Sequence, residues 1–266
     1  MNQNEAGIID DIMSNDIVKW IEKRIQDLPK KVQYRAYSAI RALDWANRIF
    51  SIDLPIPAAF TALHATEEAV AAFITCAKHY KYGDDAKINV KDHQQKAIIT
   101  FLLTDIIKEL ESLKFGVSYF EKTNSIIVRY TEDDKHQYMP ATLLNFMHGD
   151  KSKNIIDDDY LNHIISKHDN IQNIMNEIIE LQHARNKIFY AHDKGYPSGF
   201  VQPIPEIRNQ CIKTLALLWT CVDIHDSGKT KIRLIEQTFR TAQKVIKEFE
   251  KKKPVCKCKQ NEIENI

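Results

Sequence analysis

The shortage of glycine constrains the fold of this chain more than any other feature. Glycine contributes 7 of the 266 residues and proline 8, whereas glycine alone usually makes up about 7% of a protein. All-β sandwiches need many tight turns, and glycine-loop nucleotide-binding folds use glycine at the phosphate contacts. Both classes are therefore disfavoured. With 44% apolar and 27% charged residues, a mostly helical globular protein of one to two domains is predicted.

Apolar residues recur at helical spacing along most of the chain, and this pattern predicts an all-α fold. The predicted helices cover residues 16–27, 31–50, 57–81, 91–113, 139–147, 157–167, 169–192, 206–225 and 229–252.

Two short segments interrupt the helical pattern. Residues 115–121 and 125–131 alternate in polarity and are rich in aromatic and β-branched residues, which predicts a β-hairpin inserted between helices at about 115–131. Residues 193–205 hold two glycines and three prolines and predict a loop.

Three regions follow from this organisation. An N-terminal helical pair at 1–53 is expected to pack on the core, a helical domain covers 54–252, and a basic flexible tail covers 253–266.

The charge balance excludes a general attraction to polyanions. Lysine and arginine total 37 against 36 acidic residues, so the net charge is +1, and any nucleic-acid contact must come from a local patch. The N-terminal residues lack an apolar signal sequence, and no run of 18 apolar residues occurs. We expect a cytoplasmic protein with no membrane contact.

Metal-binding patterns in the sequence are weak. The five cysteines are scattered, and the pair Cys256 and Cys258 has no second pair of ligands nearby. His64 and Glu68 stand four residues apart but have no third partner in the sequence. We therefore expect neither a metal ion nor a cofactor.

The helix predicted to end at residue 192 carries two polar residues on an apolar seam. Ile174, Ile178 and Leu181 keep a heptad register, and the same register places Arg185 and His192 on that face. Seven residues return to within about 20° of the starting direction, so both side chains leave the same side of the helix. An arginine and a histidine at such positions need partners or a function.

Glu67 is a similar exception on the helix predicted at 57–81, whose seam is otherwise apolar. If the two helices pack together, Glu67 can hold the guanidinium of Arg185 in one rotamer. Two readings stay open from register alone. Glu67 and Arg185 either orient a functional site, or they form a structural ion pair beside an ordinary helix-end histidine.

The string from Arg185 through Asn186 to His192 resembles the Arg-(Asn/Asp/His)-x4–6-His motif of the HEPN superfamily. The segments 62–68 and 92–96 also look loosely like the AbiV-type abortive-infection members. Together the likenesses cover about residues 57–225. The resemblance implies a HEPN-like antiparallel helical bundle, with the N-terminal helices and the hairpin as additions.

The resemblance further implies metal-independent endoribonuclease activity in prokaryotic anti-phage defence or a toxin–antitoxin system, with an antitoxin or a phage-derived trigger as partner. RNA supplies its own nucleophile, the 2′-hydroxyl, so the protein needs to move protons and stabilise the phosphorane. Arg185, Asn186 and His192 are the candidate catalytic residues. One histidine per chain cannot readily serve as both acid and base, which favours a homodimer.

Neighbouring residues have supporting roles in this reading. Glu67 would orient Arg185, and Tyr190 could stack on a base. Lys187 and Lys194 flank the motif and could bind RNA phosphates.

Two alternatives belong to other classes of protein. The same polar cluster could serve a non-catalytic helical module that binds a nucleotide, RNA or a partner protein. The chain could also be a helical scaffold in which Glu67 and Arg185 are structural.

Overall fold

The computed structural model describes residues 13–82, 88–112, 116–132, 135–150, 155–189 and 203–252. Within these ranges the chain is mostly helical, as predicted, with eight α-helices and a small antiparallel sheet. The helices are α1 (Asp16–Ile25), α2 (Lys30–Ser51), α3 (Pro55–His79), α4 (His93–Ser112), α5 (Leu161–Lys167), α6 (Ile171–Phe189), α7 (Pro203–Ser227) and α8 (Arg233–Lys252).

Helix α3 lies at the centre of the helical packing, in contact with both α2 and α7. It begins with Pro55 and Pro57 in its first turn, where proline fits because the first backbone N–H groups of a helix have no partner within it. Its buried face is rich in alanine. Small side chains allow the neighbouring helices to approach closely, so α3 forms the inner layer of the molecule.

Two hydrophobic clusters make up the core. The larger cluster joins residues of α1 and α2 to residues of α3, α4, α6, α7 and α8. The smaller cluster lies where α2, α3 and the start of α7 meet, around Leu43, Phe50 and Ile207. Helix α2 thus contributes to both clusters. The boundaries at residues 53 and 252 stay predictions, and the tail at 253–266 lies outside the described residues.

The predicted β-hairpin is present as part of a three-stranded antiparallel sheet. Strand β1 (Gly116–Phe120) pairs with β2 (Ser125–Glu132), which pairs on its other side with β3 (Lys135–Pro140). A short 3-10 turn joins β1 to β2, and Asn124 completes it at a positive φ of 48°. Asparagine tolerates this left-handed conformation better than most residues, which suits it to this position.

The prediction of a helix at residues 139–147 is wrong. Residues up to Pro140 belong to β3, and Leu143–Asn145 form one 3-10 turn. Distant side chains hold the backbone of this segment. The carboxylate of Asp223 accepts a hydrogen bond from the Leu143 N–H, and the buried Gln237 amide bonds both backbone groups of His148.

Other boundaries differ by a few residues. Helix α5 begins at Leu161 rather than 157, because α8 side chains bind the backbone before it, including the Tyr160 N–H, which donates to Thr241. A two-residue ladder between β4 (Gly149–Asp150) and β5 (Ile155–Ile156) was not predicted. Helix α6 is described to Phe189, and α7 already begins at Pro203 within the predicted loop.

Candidate functional site

A cleft of about 350 Å³ lies between α4, α6 and α7. It has an apolar contribution from Phe101 and Leu181 and a larger number of charged or polar groups. The lining residues are Phe101, Thr104, Asp105, Lys108, His168, Glu177, Glu180, Leu181 and Lys213. The volume of this cleft lies at the lower end of the range for small-ligand pockets.

Two lysines give one side of the cleft a positive charge. Lys213 on α7 is partly buried, and burial lowers the pKa of its ammonium group. The charge of Glu206 opposes this shift, and that of Lys108 adds to it. Three carboxylates line the same cleft, so its charge is mixed and the two lysines form its positive part.

The other side of the cleft holds an imidazole between two carboxylates. His168 Nδ1 lies 2.7 Å from Oε1 of Glu177, and its Nε2 lies 3.7 Å from Oδ1 of Asp105. The ring also packs on Phe101, with 5.3 Å between ring centroids. Because each nitrogen has an acidic neighbour, the orientation of the ring is fixed at the cleft wall.

A second polar network lies next to this wall and shares Asp105 with it. Lys167 contacts both Asp105 and Glu109, and Glu109 also contacts His148 and His163. Partial burial alone would raise the pKa of Glu109, but the hydrogen bonds and charges of Lys167 and His163 lower it to about 2. Glu109 is therefore ionised throughout the neutral range.

The predicted seam of α6 is confirmed in its first part and changes character at the cleft. Ile174 and Ile178 are fully buried, whereas Leu181 is 38% exposed and lines the cleft. The seam thus leaves the core at the turn before position 185. The helical backbone continues through 185–189.

The motif residues themselves are not described at the level of their side chains. Arg185, Asn186 and Lys187 lie in the last turns of α6, with side chains outside the described part of the chain. Tyr190, His192 and Lys194 lie outside the described residues. Their predicted roles, and the predicted pair between Glu67 and Arg185, stay predictions.

Glu67 is placed by contacts that the sequence did not indicate. Its Oε2 lies 3.5 Å from Lys96 Nζ and 3.5 Å from His93 Nδ1, both in the first turn of α4. The adjacent Glu68 lies 4.0 Å from Arg35 of α2. The segments 62–68 and 92–96 thus meet through the contacts of Glu67, and α3 also contacts α6.

Sequence reasoning missed the cleft and the network beside it, although partial signals existed. Asp105 and Glu109 stand four residues apart on α4, as do His163 and Lys167 on α5, so each pair shares one helix face. The sequence did not show that these faces meet, since α5 starts 49 residues after α4 ends.

Comparisons with models of protein families, with curated proteins and with solved structures found no match. None of the helices in the described ranges has the length and apolar character that crossing a membrane requires.

Proposed function

We propose that this protein is a HEPN-type endoribonuclease that cleaves RNA without a metal ion. The observation that carries the proposal is the course of α6. Its apolar seam leaves the core at Leu181, in a cleft with two cationic lysines, and the motif that begins at Arg185 follows one helical turn later. A substrate phosphate in that cleft would lie close to the helix end that carries the motif.

Two lysines of the cleft, Lys108 and Lys213, would contact a phosphate of RNA. Three carboxylates line the same cleft, so the contact would be local to the lysines. The volume of about 350 Å³ suits one nucleotide unit better than a long stretch of chain. Lys187 and Lys194 would extend the contact to neighbouring phosphates.

The chemistry needs a proton acceptor, a proton donor and a group that stabilises negative charge. The 2′-hydroxyl of RNA attacks the adjacent phosphorus, the P–O5′ bond breaks, and the products carry a 2′,3′-cyclic phosphate and a 5′-hydroxyl. Imidazole titrates near neutral pH, so His192 can take the 2′-hydroxyl proton or protonate the leaving 5′-oxygen. The guanidinium of Arg185 would bind the non-bridging oxygens as their charge grows.

Further residues would orient this centre. Asn186 would hold His192 or the phosphate by hydrogen bonds, and Tyr190 would stack on a base. Glu67, which contacts Lys96 of α4, would restrain Arg185. One histidine cannot readily serve as both acid and base, so a second would come from the other subunit of a homodimer.

The direct test compares RNA cleavage by wild type and His192→Ala, each in EDTA and in Mg²⁺. Loss of a general acid or base typically costs 10²–10⁴-fold in rate, so the variant should lose about that much, while wild type cleaves equally well in both buffers. Cleaved RNA should carry a 2′,3′-cyclic phosphate. His183→Ala is the matched control, because His183 lies on the exposed side of the same helix and should be dispensable.

Two results would contradict the proposal. Wild type and His192→Ala could be equally inert on RNA and equally harmless when expressed in cells, or cleavage could require added Mg²⁺. The first result would contradict the nuclease function, and the second would contradict the metal-independent mechanism.

The role in anti-phage defence or in a toxin–antitoxin system is proposed from the family resemblance. It predicts that wild type slows the growth of a bacterial host on expression and that His192→Ala does not. An antitoxin or a phage-derived trigger would then control the activity.

A non-catalytic binding module is the second candidate, and the cleft itself favours it. Phe101, Leu181 and the two lysines would contact a nucleotide or RNA in addition to the polar cluster of the motif. If this candidate is correct, a nucleotide or RNA should bind with equal affinity to wild type and His192→Ala, without cleavage. Lys213→Gln should weaken that binding and reduce its dependence on salt by about one counterion.

A further inference from the structure

We propose that Glu109, His148 and His163 form a binding site for a divalent transition-metal ion of the Zn²⁺ type. The three residues come from α4, from the segment before β4, and from α5. One ligand atom from each lies within 4.8 Å of the other two. Glu109 stands between the imidazoles, with Oε2 3.4 Å from His148 Nε2 and Oε1 2.5 Å from His163 Nε2.

The position of His148 is fixed by contacts independent of the other two ligands. Its backbone N–H donates to Oε1 of the buried Gln237 at 2.9 Å, and the amide nitrogen of Gln237 donates to its carbonyl at 2.8 Å. The His148 ring stacks on Tyr160, with centroids 5.2 Å apart, and the Tyr160 hydroxyl donates to Thr238. The imidazole is thus held in place before a metal arrives, which lowers the entropic cost of binding.

The backbone just before the helix that carries His163 is also held by hydrogen bonding, and the His163 side chain is accessible to solvent. Helix α5 starts directly after Tyr160, whose N–H donates to Thr241 of α8. The His163 side chain is 40% exposed. An ion can therefore reach the site from solvent, and water can take the fourth coordination position.

The donor set determines which ion fits. Two imidazole nitrogens and one carboxylate oxygen suit Zn²⁺ and related transition metals, whereas Mg²⁺ prefers oxygen ligands throughout. Tetrahedral ligands at about 2.0–2.2 Å from Zn²⁺ lie about 3.3 Å apart. The distance of 3.4 Å between His148 Nε2 and Glu109 Oε2 is close to this value. His163 Nε2 lies 2.5 Å from the other oxygen of Glu109, and its exposed ring would move to bind the same ion.

The ammonium group of Lys167 competes with a metal ion for the carboxylate of Glu109. Its ammonium group contacts Glu109 and also lies 3.3 Å from Oδ2 of Asp105. When a metal takes the Glu109 oxygen, Lys167 keeps an ion pair with Asp105, so its charge is not left without a counterion. Because Asp105 lines the cleft, metal binding would bring a cation closer to the cleft wall.

The test is titration of tag-free protein with ZnCl₂, followed by calorimetry and by the rise in melting temperature. The starting chain carries Cys256→Ser and Cys258→Ser, so that thiolates of the tail do not bind the ion. We expect one Zn²⁺ per chain, with affinity reduced at least 10-fold by His163→Ala and by Glu109→Gln. MgCl₂ should produce neither heat nor stabilisation.

The matched control is His183→Ala, an exposed histidine outside the cluster, which should bind Zn²⁺ as the starting chain does. Circular dichroism of each variant confirms that it is folded, and Glu109→Gln keeps the shape of the side chain. Absence of Zn²⁺ binding at 100 µM, or equal binding by the starting chain and both ligand variants, would overturn the proposal. Neither result bears on RNA cleavage, which is measured separately.

Discussion

Asp223 shows how a single buried carboxyl group can hold a distant segment in place. It lies on α7, is 8% exposed, and accepts a hydrogen bond of 2.6 Å from the Leu143 N–H. Burial raises the pKa of Asp223, while the hydrogen bonds from Leu143 and Thr142 partly oppose this shift. The ionised form is thus held at a cost, and the hydrogen bond offsets part of it.

The pH dependence follows from the sign of that shift. A carboxyl group whose pKa is raised by folding contributes its full stability below its unfolded pKa and loses it as the pH rises through the folded value. Asp223→Asn keeps an acceptor oxygen and removes the charge, so we expect a higher melting temperature than wild type at pH 7. The difference should disappear near pH 3.5. Thermal melts at the two pH values measure it.

Asp223→Ala is the comparison that separates charge from hydrogen bonding. It leaves the Leu143 N–H without its acceptor, which should cost about 1–3 kcal/mol at either pH. A destabilised Asp223→Asn at pH 7 would show that the ionised carboxylate is the favourable form.

At the scale of the element, α6 changes from a core helix into the wall of a cleft within one turn. Ile178 is fully buried and Leu181 is 38% exposed, although both continue the same heptad register. We expect Ile178→Ala to lower the free energy of unfolding by about 2–5 kcal/mol, because it leaves a cavity. Leu181→Ala should cost less than about 1 kcal/mol, and urea denaturation measures both.

Leu181→Glu tests whether the cleft takes part in RNA binding. A further carboxylate in the cleft opposes the lysines, so RNA binding should weaken while the fold persists. Equal losses of stability in Ile178→Ala and Leu181→Ala would mean that the seam stays in the core beyond residue 178.

The elements differ in how well sequence predicts them. The apolar periodicity of α6 and the alternation in β1 and β2 are local patterns, and the structure reproduces both. The segment 139–147 has an apolar pattern too, yet its backbone is bound by Asp223 and Gln237, which stand about 80–90 residues away in the chain. Local patterns carry no information about such partners.

The cleft and the network beside it were not predicted, for the same reason. Register along one helix predicted a site at Arg185 and His192, and their side chains lie outside the described part of the chain. The cleft needs Lys108 of α4 and Lys213 of α7, and the proposed metal site needs three segments. Their side chains meet through packing of separate elements, which a single sequence does not specify.

At the scale of the whole molecule, the proposed mechanism requires two chains. One His192 per chain cannot supply both proton transfers, so cleavage should depend on association. We expect a dimer by light scattering, and a specific activity that falls on dilution once the chain concentration drops below the dimer dissociation constant. A strict monomer with full activity at every concentration would contradict the composite site.

The buried Gln237 on α8 has a consequence for synthesis of the chain. Its side chain binds the backbone of His148 and of Asp157, which leave the ribosome about 80–90 residues earlier. Translation proceeds at about 5–20 residues per second. The backbone of His148 and of Asp157 is therefore synthesised several seconds before the Gln237 side chain that binds it. Helices α5, α6 and α7 are synthesised in that interval, before the side chain that binds these two backbone positions.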